Sequence, residues 1–381
     1  MSGMPLSHPL TTFLAVLLGL FSSTFLASPV AAQATQEKSI DSFLNALKEL
    51  GPEGKNHPAI IASVPNPAQC QAKDVATLLS SMRDDRPLAA NWLRLTAEAI
   101  AQAHPPQTST LRELVTNGDG SDLQRVAAYE LLKQQEPQQA EAMAASFQSD
   151  LCLPLRRIAI AQELAAWKEK SIQSDDADAL KSLLEDARDI DQVDQLIRYL
   201  GQADTEIDRN QWLGFQLDWK VIGPFDNTDG KGHDKPYAIE SQLTPPDFNA
   251  TWEGKEGKIG WQDIQSEDKD GFVDINKLLA KHNGACVYLA ANIRSDEERS
   301  AQIRMGSYNA IKTWVNGQMV LDFNVYHTNE MVDQYVADVT LQQGDNWVVI
   351  KLCQNEQKES WAQNWRFLFR VTDATGKTIE R

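Results

Sequence analysis

Two groups of side chains could bind a ligand, and the first lies in a loop rich in Asp and Gly. Residues 226–234 read Asp-Asn-Thr-Asp-Gly-Lys-Gly-His-Asp, and a glutamate follows at position 240. Calcium takes about six to eight hard oxygen ligands, and glycine lets a backbone curl around the ion. The predicted ligands of a structural calcium or other divalent cation are Asp226, Asp229, Asp234 and Glu240. The spacing is not that of an EF-hand, and the alternative is a solvated turn that bonds its own backbone.

The second group combines aromatic rings with amides and carboxylates near the C-terminal end of the chain. A sugar site needs an aromatic surface for the ring and a few convergent polar groups for its hydroxyls. The predicted ligand-binding residues are Tyr326, His327, Asp333, Gln354, Asn355, Glu356, Trp361 and Trp365. The composition suits carbohydrate binding. The alternative is that both tryptophans belong to the core and the amides satisfy loop backbone.

Catalytic chemistry has weaker support in the sequence. Carboxylates occur close together, for example Glu330 with Asp333 and Glu356 with Glu359. A glycosidase needs such a pair at a set separation with one raised pKa, and an acidic chain contains such pairs by chance. The sequence has no Gly-x-Ser-x-Gly elbow, no HExxH motif and no phosphate-binding glycine loop. We therefore expect a protein that is not an enzyme, with a polysaccharide hydrolase as the least favoured reading.

The N-terminus has the features of a secretion signal. An apolar run at 13–26 is short for a membrane span, and Ala32-Gln33-Ala34 fits a signal-peptidase site. We predict that residues 1–34 are a signal peptide, that no membrane span remains after cleavage, and that the protein is secreted or periplasmic. An uncleaved membrane anchor is the alternative, since no Lys or Arg precedes the apolar run.

Charge and cysteine content limit the partners and the redox chemistry. The net charge is −17, and residues 1–34 contribute no charged side chain. Such a chain repels phosphates, so we expect no binding to nucleic acid or anionic membranes. The four cysteines fall two in each half, which in an oxidising compartment suggests disulfides between Cys70 and Cys152 and between Cys286 and Cys353. Four buried free thiols are the alternative.

The first half has helical periodicity. We predict a helical domain over 35–203 and a polar linker over 204–212, with a Pro- and Asn-rich loop at 57–67. Helix patterns follow residues 39–50, 73–82, 88–103, 110–115, 122–135, 137–147, 154–168, 177–187 and 191–200. Leu-Gln-Arg-Val-Ala at 123–127 recurs as Leu-Arg-Arg-Ile-Ala at 155–159. A repeated helix pair indicates a HEAT-like α-solenoid, with an irregular bundle as the alternative, and Arg125 and Arg157 should bridge neighbouring helices.

The second half, residues 213–381, has the pattern of an antiparallel β-sandwich or jelly roll. Predicted strands cover 218–222, 258–262, 286–293, 301–305, 310–315, 318–322, 335–341, 347–353 and 365–373, with a helical insert at 274–281. Asn316-Gly317 between two of them predicts a type I′ hairpin turn, which needs positive φ at both residues.

The order of motifs in this half also resembles a known type of domain. The motifs are W-x-x-x-G-P-F at 219–225, V-D-I-N at 273–276, M-G-S-Y-N-A-I-K-T-W-V-N-G at 305–317, D-Q-Y at 333–335 and G-D-N-W-V-V-I-K-L at 344–352. Together they resemble a β-sandwich of galactose-binding or PA14-like type. Many relatives have acidic residues in the turn that here reads Gly-Ser-Tyr-Asn-Ala, so this chain departs from them at 306–310.

The helical half extends the resemblance over nearly the whole chain after residue 34. Ala-Tyr-Glu-Leu-Leu at 128–132 and Leu-Arg-Arg at 155–157 resemble phrases in an uncharacterised family of secreted or periplasmic bacterial proteins of planctomycete type. The resemblance implies the two-domain architecture and no activity. From the residues we expect a helical scaffold, able to bind a protein partner, that carries a carbohydrate-binding module. The alternative is an assembly protein without a small ligand.

Overall fold

The structure, a computed structural model, describes residues 38–51 and 54–379. The predicted signal peptide lies outside the described residues. Within those residues, every helix is too short or too polar to cross a bilayer. The fold mixes α-helices, which come first, with antiparallel sheets.

The helices of the described part follow the sequence periodicity. They are α1 Ile40–Lys48, α2 His57–Ser63, α3 Ala72–Ser80, α4 Pro87–Ala103, α5 Thr108–Thr116, α6 Asp122–Gln135, α7 Pro137–Ala144, α8 Leu153–Lys168, α9 Ala177–Asp186, α10 Ile190–Gln202, α11 Arg209–Leu213 and α12 Ile275–Leu278. The loop predicted at 57–67 is wrong over its first half, which is α2. Pro58 lies in its first turn, where a missing N–H costs nothing, and Ile60 is buried. The segment predicted as a linker contains most of α11.

Successive helices pack on their neighbours in space. Helix α6 contacts α4, α5 and α8, and α8 in turn contacts α10. The recurring arginines join these helices, as predicted: Arg125 on α6 pairs with Asp150, and Arg157 on α8 pairs with Asp191 on α10. Arg125 is buried, so its charge is neutralised by a partner inside the helical region.

The strands form two larger sheets and one hairpin. They are β1 Asp218–Asp226, β2 Thr251–Gly254, β3 Gly257–Gly260, β4 Gln262–Gln265, β5 Val273–Asp274, β6 Ala285–Ser295, β7 Arg299–Ser307, β8 Ala310–Val315, β9 Gln318–Phe323, β10 Tyr335–Leu341, β11 Gly344–Gln354 and β12 Arg366–Thr372. A six-stranded sheet has the order β4-β1-β6-β11-β8-β9, and a four-stranded sheet has the order β10-β7-β12-β5. The pairings are antiparallel. Strands β2 and β3 form the hairpin.

The two larger sheets share one apolar core, and each is also covered on its outer face. Leu289 and Ile350 of the larger sheet are buried with Ile303 and Phe367 of the smaller one. Residues 227–261, here called the insertion, cover part of the outer face of the six-stranded sheet through a second apolar cluster. Leu368 on the outer face of the smaller sheet is buried among residues of α9, α10 and α11. This layering leaves the loops at one end of the sheets free to form a site.

Candidate functional site

Loops from three parts of the chain meet at one end of the six-stranded sheet. Five side chains gather there, and we call them the loop cluster: Tyr308 between β7 and β8, Tyr326 and His327 after β9, and Asn355 and Trp361 after β11. Four of the five were predicted from the sequence to bind ligand, and Tyr308 was not. The cluster is therefore assembled from segments that are distant in the chain.

The aromatic rings of the loop cluster surround His327. Its ring centroid lies 5.0 Å from that of Tyr308 and 5.1 Å from that of Trp361, both in edge-to-face geometry. Tyr326 lies 6.2 Å away in a tilted arrangement. Trp361 is 56% exposed, which is unusual for so large an apolar side chain. An exposed ring held edge-on by its neighbours is a rigid surface for an apolar ligand face.

Hydrogen bonds fix the orientation of His327. The backbone N–H of Gln357 donates to Asn355 Oδ1, which directs Asn355 Nδ2 to His327 Nε2 at 2.7 Å. Because Nε2 accepts this bond, the neutral ring carries its proton on Nδ1. Nδ1 is buried and has no partner in the described structure. The cluster thus holds one unused donor next to the exposed tryptophan. His327 has a φ of 60° and its N–H donates to the Tyr308 carbonyl.

Asn227, a fully buried residue that the sequence did not single out, ties the cluster to the insertion. Its Nδ2 donates to Tyr326 Oη at 3.0 Å and to the Gln354 carbonyl at 2.9 Å. Its Oδ1 accepts the backbone N–H of His233. Burial raises the pKa of Tyr326 well above its usual range, so this phenol stays neutral and can act as donor or acceptor. The sequence signal that could have pointed to Asn227 is its place directly after a buried strand.

Two of the predicted ligand residues lie inside the protein and cannot contact a ligand. Trp365 is fully buried in the core between the sheets, and its indole N–H points to the Leu352 carbonyl at 3.4 Å. Gln354 is 1% exposed and donates to the Ala362 carbonyl. It also accepts from buried Asn309. The Gln354 and Asn309 amides thus hold the β11–β12 loop in place. For Trp365 and Gln354, the structure agrees with the alternative of a core tryptophan and an amide that satisfies loop backbone.

Asp333 was also predicted to bind ligand, but its carboxylate is committed to two arginines. It accepts from Arg304 Nη1 at 2.7 Å and from Arg370 Nε at 2.8 Å. Burial by itself opposes ionisation of Asp333, but the Arg370 and Arg304 guanidiniums outweigh it and lower the pKa of this carboxyl. Glu330 is likewise paired with Arg366. The carboxylate pair of Glu330 and Asp333 is therefore used for structure.

Glu356 lies on the rim of the cluster. Its side chain is exposed and its Oε2 accepts the backbone N–H of Asp229 at 2.9 Å. Of the two carboxylates in the predicted ligand-binding set, Asp333 and Glu356, Glu356 is the exposed one.

The four carboxylates predicted to bind calcium do not converge. Each has a separate cationic neighbour: Lys255 for Asp226, Lys231 for Asp229, Lys312 for Asp234 and Lys351 for Glu240. Among the described residues, no three His, Cys, Asp or Glu side chains are placed to share a metal ion. Thr228 and the backbone satisfy Asp226 further and lower its pKa. The loop is thus a network of turns and ion pairs.

Lys351 binds Glu240, one of the four carboxylates that were predicted to bind calcium. The residue is fully buried on β11. Its Nζ donates to the carbonyls of His233 and Lys235 at 3.0 and 2.8 Å and to Glu240 Oε1 at 2.9 Å. The rings of Tyr237 and Tyr288 lie 5.3 and 5.5 Å from the ammonium. A lysine side chain therefore holds the insertion to the sheet through oxygens and aromatic faces.

All four cysteines are free thiols, so the predicted disulfides are wrong for this structure. Cys286 and Cys353 do lie opposite each other on β6 and β11. Two residues from the cysteines on each strand, the Gly284 N–H donates to the Asn355 carbonyl. Hydrogen-bonded and non-hydrogen-bonded pairs alternate along an antiparallel ladder, so Cys286 and Cys353 also form a hydrogen-bonded pair. Side chains of such pairs stand farther apart than a disulfide prefers. Cys70 is half-buried and Cys152 is buried, without a bond between them.

Comparisons with known proteins show weak likenesses. No family model matches the sequence, and no curated relative matches it. Three solved structures illustrate the range of likenesses. A β-glucosidase from Kluyveromyces marxianus in complex with glucose has 12% identity and a TM-score of 0.26 over 42% of this chain and 17% of its own. A family 35 carbohydrate binding module from Clostridium thermocellum has 16% identity and a TM-score of 0.19 over 26% of this chain and 77% of its own.

The third is the epithelial adhesin 9 A domain from Candida glabrata in complex with Galb1-4GlcNAc, with 12% identity and a TM-score of 0.22 over 44% of this chain and 85% of its own. This chain matches only a small part of the length of the β-glucosidases. Likenesses of this strength carry no argument about function, which has to come from the site itself.

Proposed function

We propose that this is a secreted or periplasmic carbohydrate-binding protein without catalytic activity, in which the loop cluster contacts the sugar. The observation that carries the proposal is the exposed Trp361 ring, held edge-to-face against His327. Apolar sugar faces pack on such rings, and polar groups around them select hydroxyls. In this proposal the two larger sheets are a jelly-roll sandwich of galactose-binding type. The helices are a HEAT-like scaffold.

The charges around the site support binding without hydrolysis. Glu330 and Asp333 are paired with arginines, so neither is available as an acid or a nucleophile. A retaining or inverting glycosidase needs two carboxyls facing the same bond. Glu356 and Glu359 are both exposed, and carboxylates on a rim can accept hydrogen bonds from sugar hydroxyls.

Replacing Trp361 by Ala tests the proposal. We expect the variant to lose affinity for neutral polysaccharides by about ten- to a hundredfold, the value of one aromatic contact. The measurement is native affinity electrophoresis of the full chain against a panel of soluble glycans. The thermal midpoint should hardly change, because the ring is exposed. Leu151→Ala, at an apolar residue 77% exposed in the helical region, is the matched control. Equal binding by Trp361→Ala and wild type would remove the loop cluster from the proposal.

A second candidate function, a scaffold that binds a protein, is favoured by one observation. Large apolar side chains are exposed on the helical region: Leu88, Leu95, Leu123 and Leu151. If the wild-type protein binds none of the glycans, this surface becomes the leading site. Cross-linking of the full chain in its native extract, compared with a Leu95→Ser and Leu123→Ser variant, then measures its contribution.

A further inference from the structure

A second concave surface lies on the outer face of the six-stranded sheet, beside the insertion. It encloses about 480 Å³, within the range of small-ligand sites. We call it the sheet groove. The side chains that matter for its chemistry are Asp218, Lys220, Asp263, Gln265, Asn292 and Trp347. None of them belongs to the loop cluster.

The strand register arranges these side chains in rows across the sheet. Asp218 pairs with Gln265 of β4, and Asn292 of β6 pairs with Trp347 of β11. Lys220 pairs with Ala290, so Asp218 lies beside Asn292 two residues along. One row therefore runs Gln265, Asp218, Asn292, Trp347 across four strands. Neighbouring strands are about 4.8 Å apart, so the row is about 14 Å long.

The next row also lines the groove, and the insertion packs beside it. Ala290 stands between Lys220 and Val349 in that row and lines the groove where the sheet passes under the insertion. Phe248 of the insertion lies 5.3 Å from the Trp347 ring. The Lys220 ammonium lies 5.3 Å from the Phe248 ring. The groove thus has the Trp347 ring at one end of its row, and Phe248 of the insertion supports that ring from outside the groove.

The charges of the groove favour a neutral ligand. The Lys220 ammonium is paired with Asp263 at 2.6 Å, which leaves Asp218 as the uncompensated charge. This carboxylate, together with the protein's net charge of −17, would repel an anionic polymer. The side chains of Asn292 and Gln265 make no hydrogen bond within the described structure, so both can bond hydroxyls.

We infer that the sheet groove is a second glycan-binding site, which takes a short run of neutral sugars lying along the row from Gln265 to Trp347. The half-buried Trp347 ring packs on a sugar face, and the Asn292 and Gln265 amides bond hydroxyls. The class of ligand rests on the proposed function, but the residues are different. A glycan long enough to reach both sites at once would bind more tightly through avidity.

Variants at the two sites separate this inference from the proposed function. The groove variant is Asn292→Ala with Gln265→Ala, which changes exposed side chains and leaves the Trp347 ring intact. Its matched control is Arg294→Ala, an exposed residue of the same strand in the next row outward. Each is measured with wild type and Trp361→Ala by affinity electrophoresis against neutral glycans. We expect the groove variant to bind about five- to tenfold more weakly and Arg294→Ala to bind as wild type.

Each outcome decides one of the two statements. Weaker binding by both the groove variant and Trp361→Ala supports two sites. Loss in Trp361→Ala with no change in the groove variant overturns the sheet groove and leaves the loop cluster. Loss in the groove variant alone supports the groove and overturns the loop cluster. If Arg294→Ala weakens binding as much as the groove variant does, the effect is not specific to the row and the inference fails. Absence of glycan binding by wild type overturns both.

Discussion

At the scale of single residues, Lys351 shows how the interior of an acidic protein can hold a full charge. Its ammonium gains three oxygen acceptors and two aromatic faces in exchange for water. The partner carboxylate, Glu240, also accepts the hydroxyl of Tyr288. Burial, followed by this bond, raises the pKa of Tyr288 far above its usual range. The group is therefore a fully satisfied polar network inside an apolar layer.

Replacing Lys351 by Met is expected to destabilise the fold by about 3–5 kcal/mol, because Glu240 loses its partner while still largely buried. The measurement is urea unfolding followed by tryptophan fluorescence. Lys358→Met, at an exposed lysine of the β11–β12 loop, is the control and should change the free energy of unfolding little.

The double variant Lys351→Met with Glu240→Gln should recover part of the loss, since it removes the unpaired charge. A Lys351→Met protein as stable as wild type would show that the network contributes nothing. The buried lysine would then have no role in stability.

At the scale of elements, the hairpins and helices with strong local signals were predictable. Asn316-Gly317 turns β8 into β9 with φ of 50° and 81°, as a type I′ turn requires. Strands β8 and β10 begin and end where the alternating pattern predicts. Strand β2 was missed, since Thr-Trp-Glu-Gly is too short for a periodic signal. Local rules therefore located most of the fold.

The site was harder to predict because its parts meet only through long-range contacts. Tyr308 and His327 lie in separate loops, and Asn227 reaches Gln354 across the whole second half of the chain. Composition pointed to polar and aromatic residues, but it could not separate an exposed Trp361 from a buried Trp365 four residues later. That difference depends on which loop lies over which strand, and the sequence alone does not encode it in a local pattern.

Gly306 on β7 is an element-scale test of how the sheet supports the loop cluster. A Cβ atom built there would lie 2.1 Å from the Met331 carbonyl oxygen, so the β9–β10 loop can approach only a glycine. Gly306→Ala should displace this loop, which carries Tyr326 and His327. We expect a loss of about 1–3 kcal/mol in stability and weaker glycan binding.

The control for this change is Gly201→Ala in helix α10. That glycine has open space around its Cβ position, and Ala is the better helix former, so a gain of about 1 kcal/mol is expected. Thermal denaturation and affinity electrophoresis measure both variants. Normal binding by a folded Gly306→Ala protein would show that the loop position does not matter for the ligand.

At the scale of the whole molecule, the helices and sheets are joined by a shared apolar cluster. Leu368 of the four-stranded sheet is buried with Leu196 and Leu200 of α10. The backbone adds to this joint, since the Gln216 N–H donates to the Phe369 carbonyl at 2.9 Å. Arg370 also donates to the Leu213 carbonyl. The two parts of the chain should therefore unfold together.

Leu368→Ala tests this coupling. It should cost about 2–5 kcal/mol and separate the unfolding of the helices from that of the sheets. In wild type, circular dichroism at the helical band and tryptophan fluorescence should give one urea transition, whereas in the variant they should differ. Leu352→Ala, in the core between the two sheets, removes the same atoms without touching the joint. Two transitions already present in wild type would contradict the coupling.

The lysine beneath the insertion also bears on the environment that the protein can tolerate. A metal ion bound in a loop leaves when its concentration in the surroundings falls, so loops of that kind collapse in chelators or soft water. Here the positive charge is covalently attached to strand β11, and dilution cannot remove it. We therefore expect the contact between Lys351 and the insertion to persist when calcium is withdrawn from the surroundings.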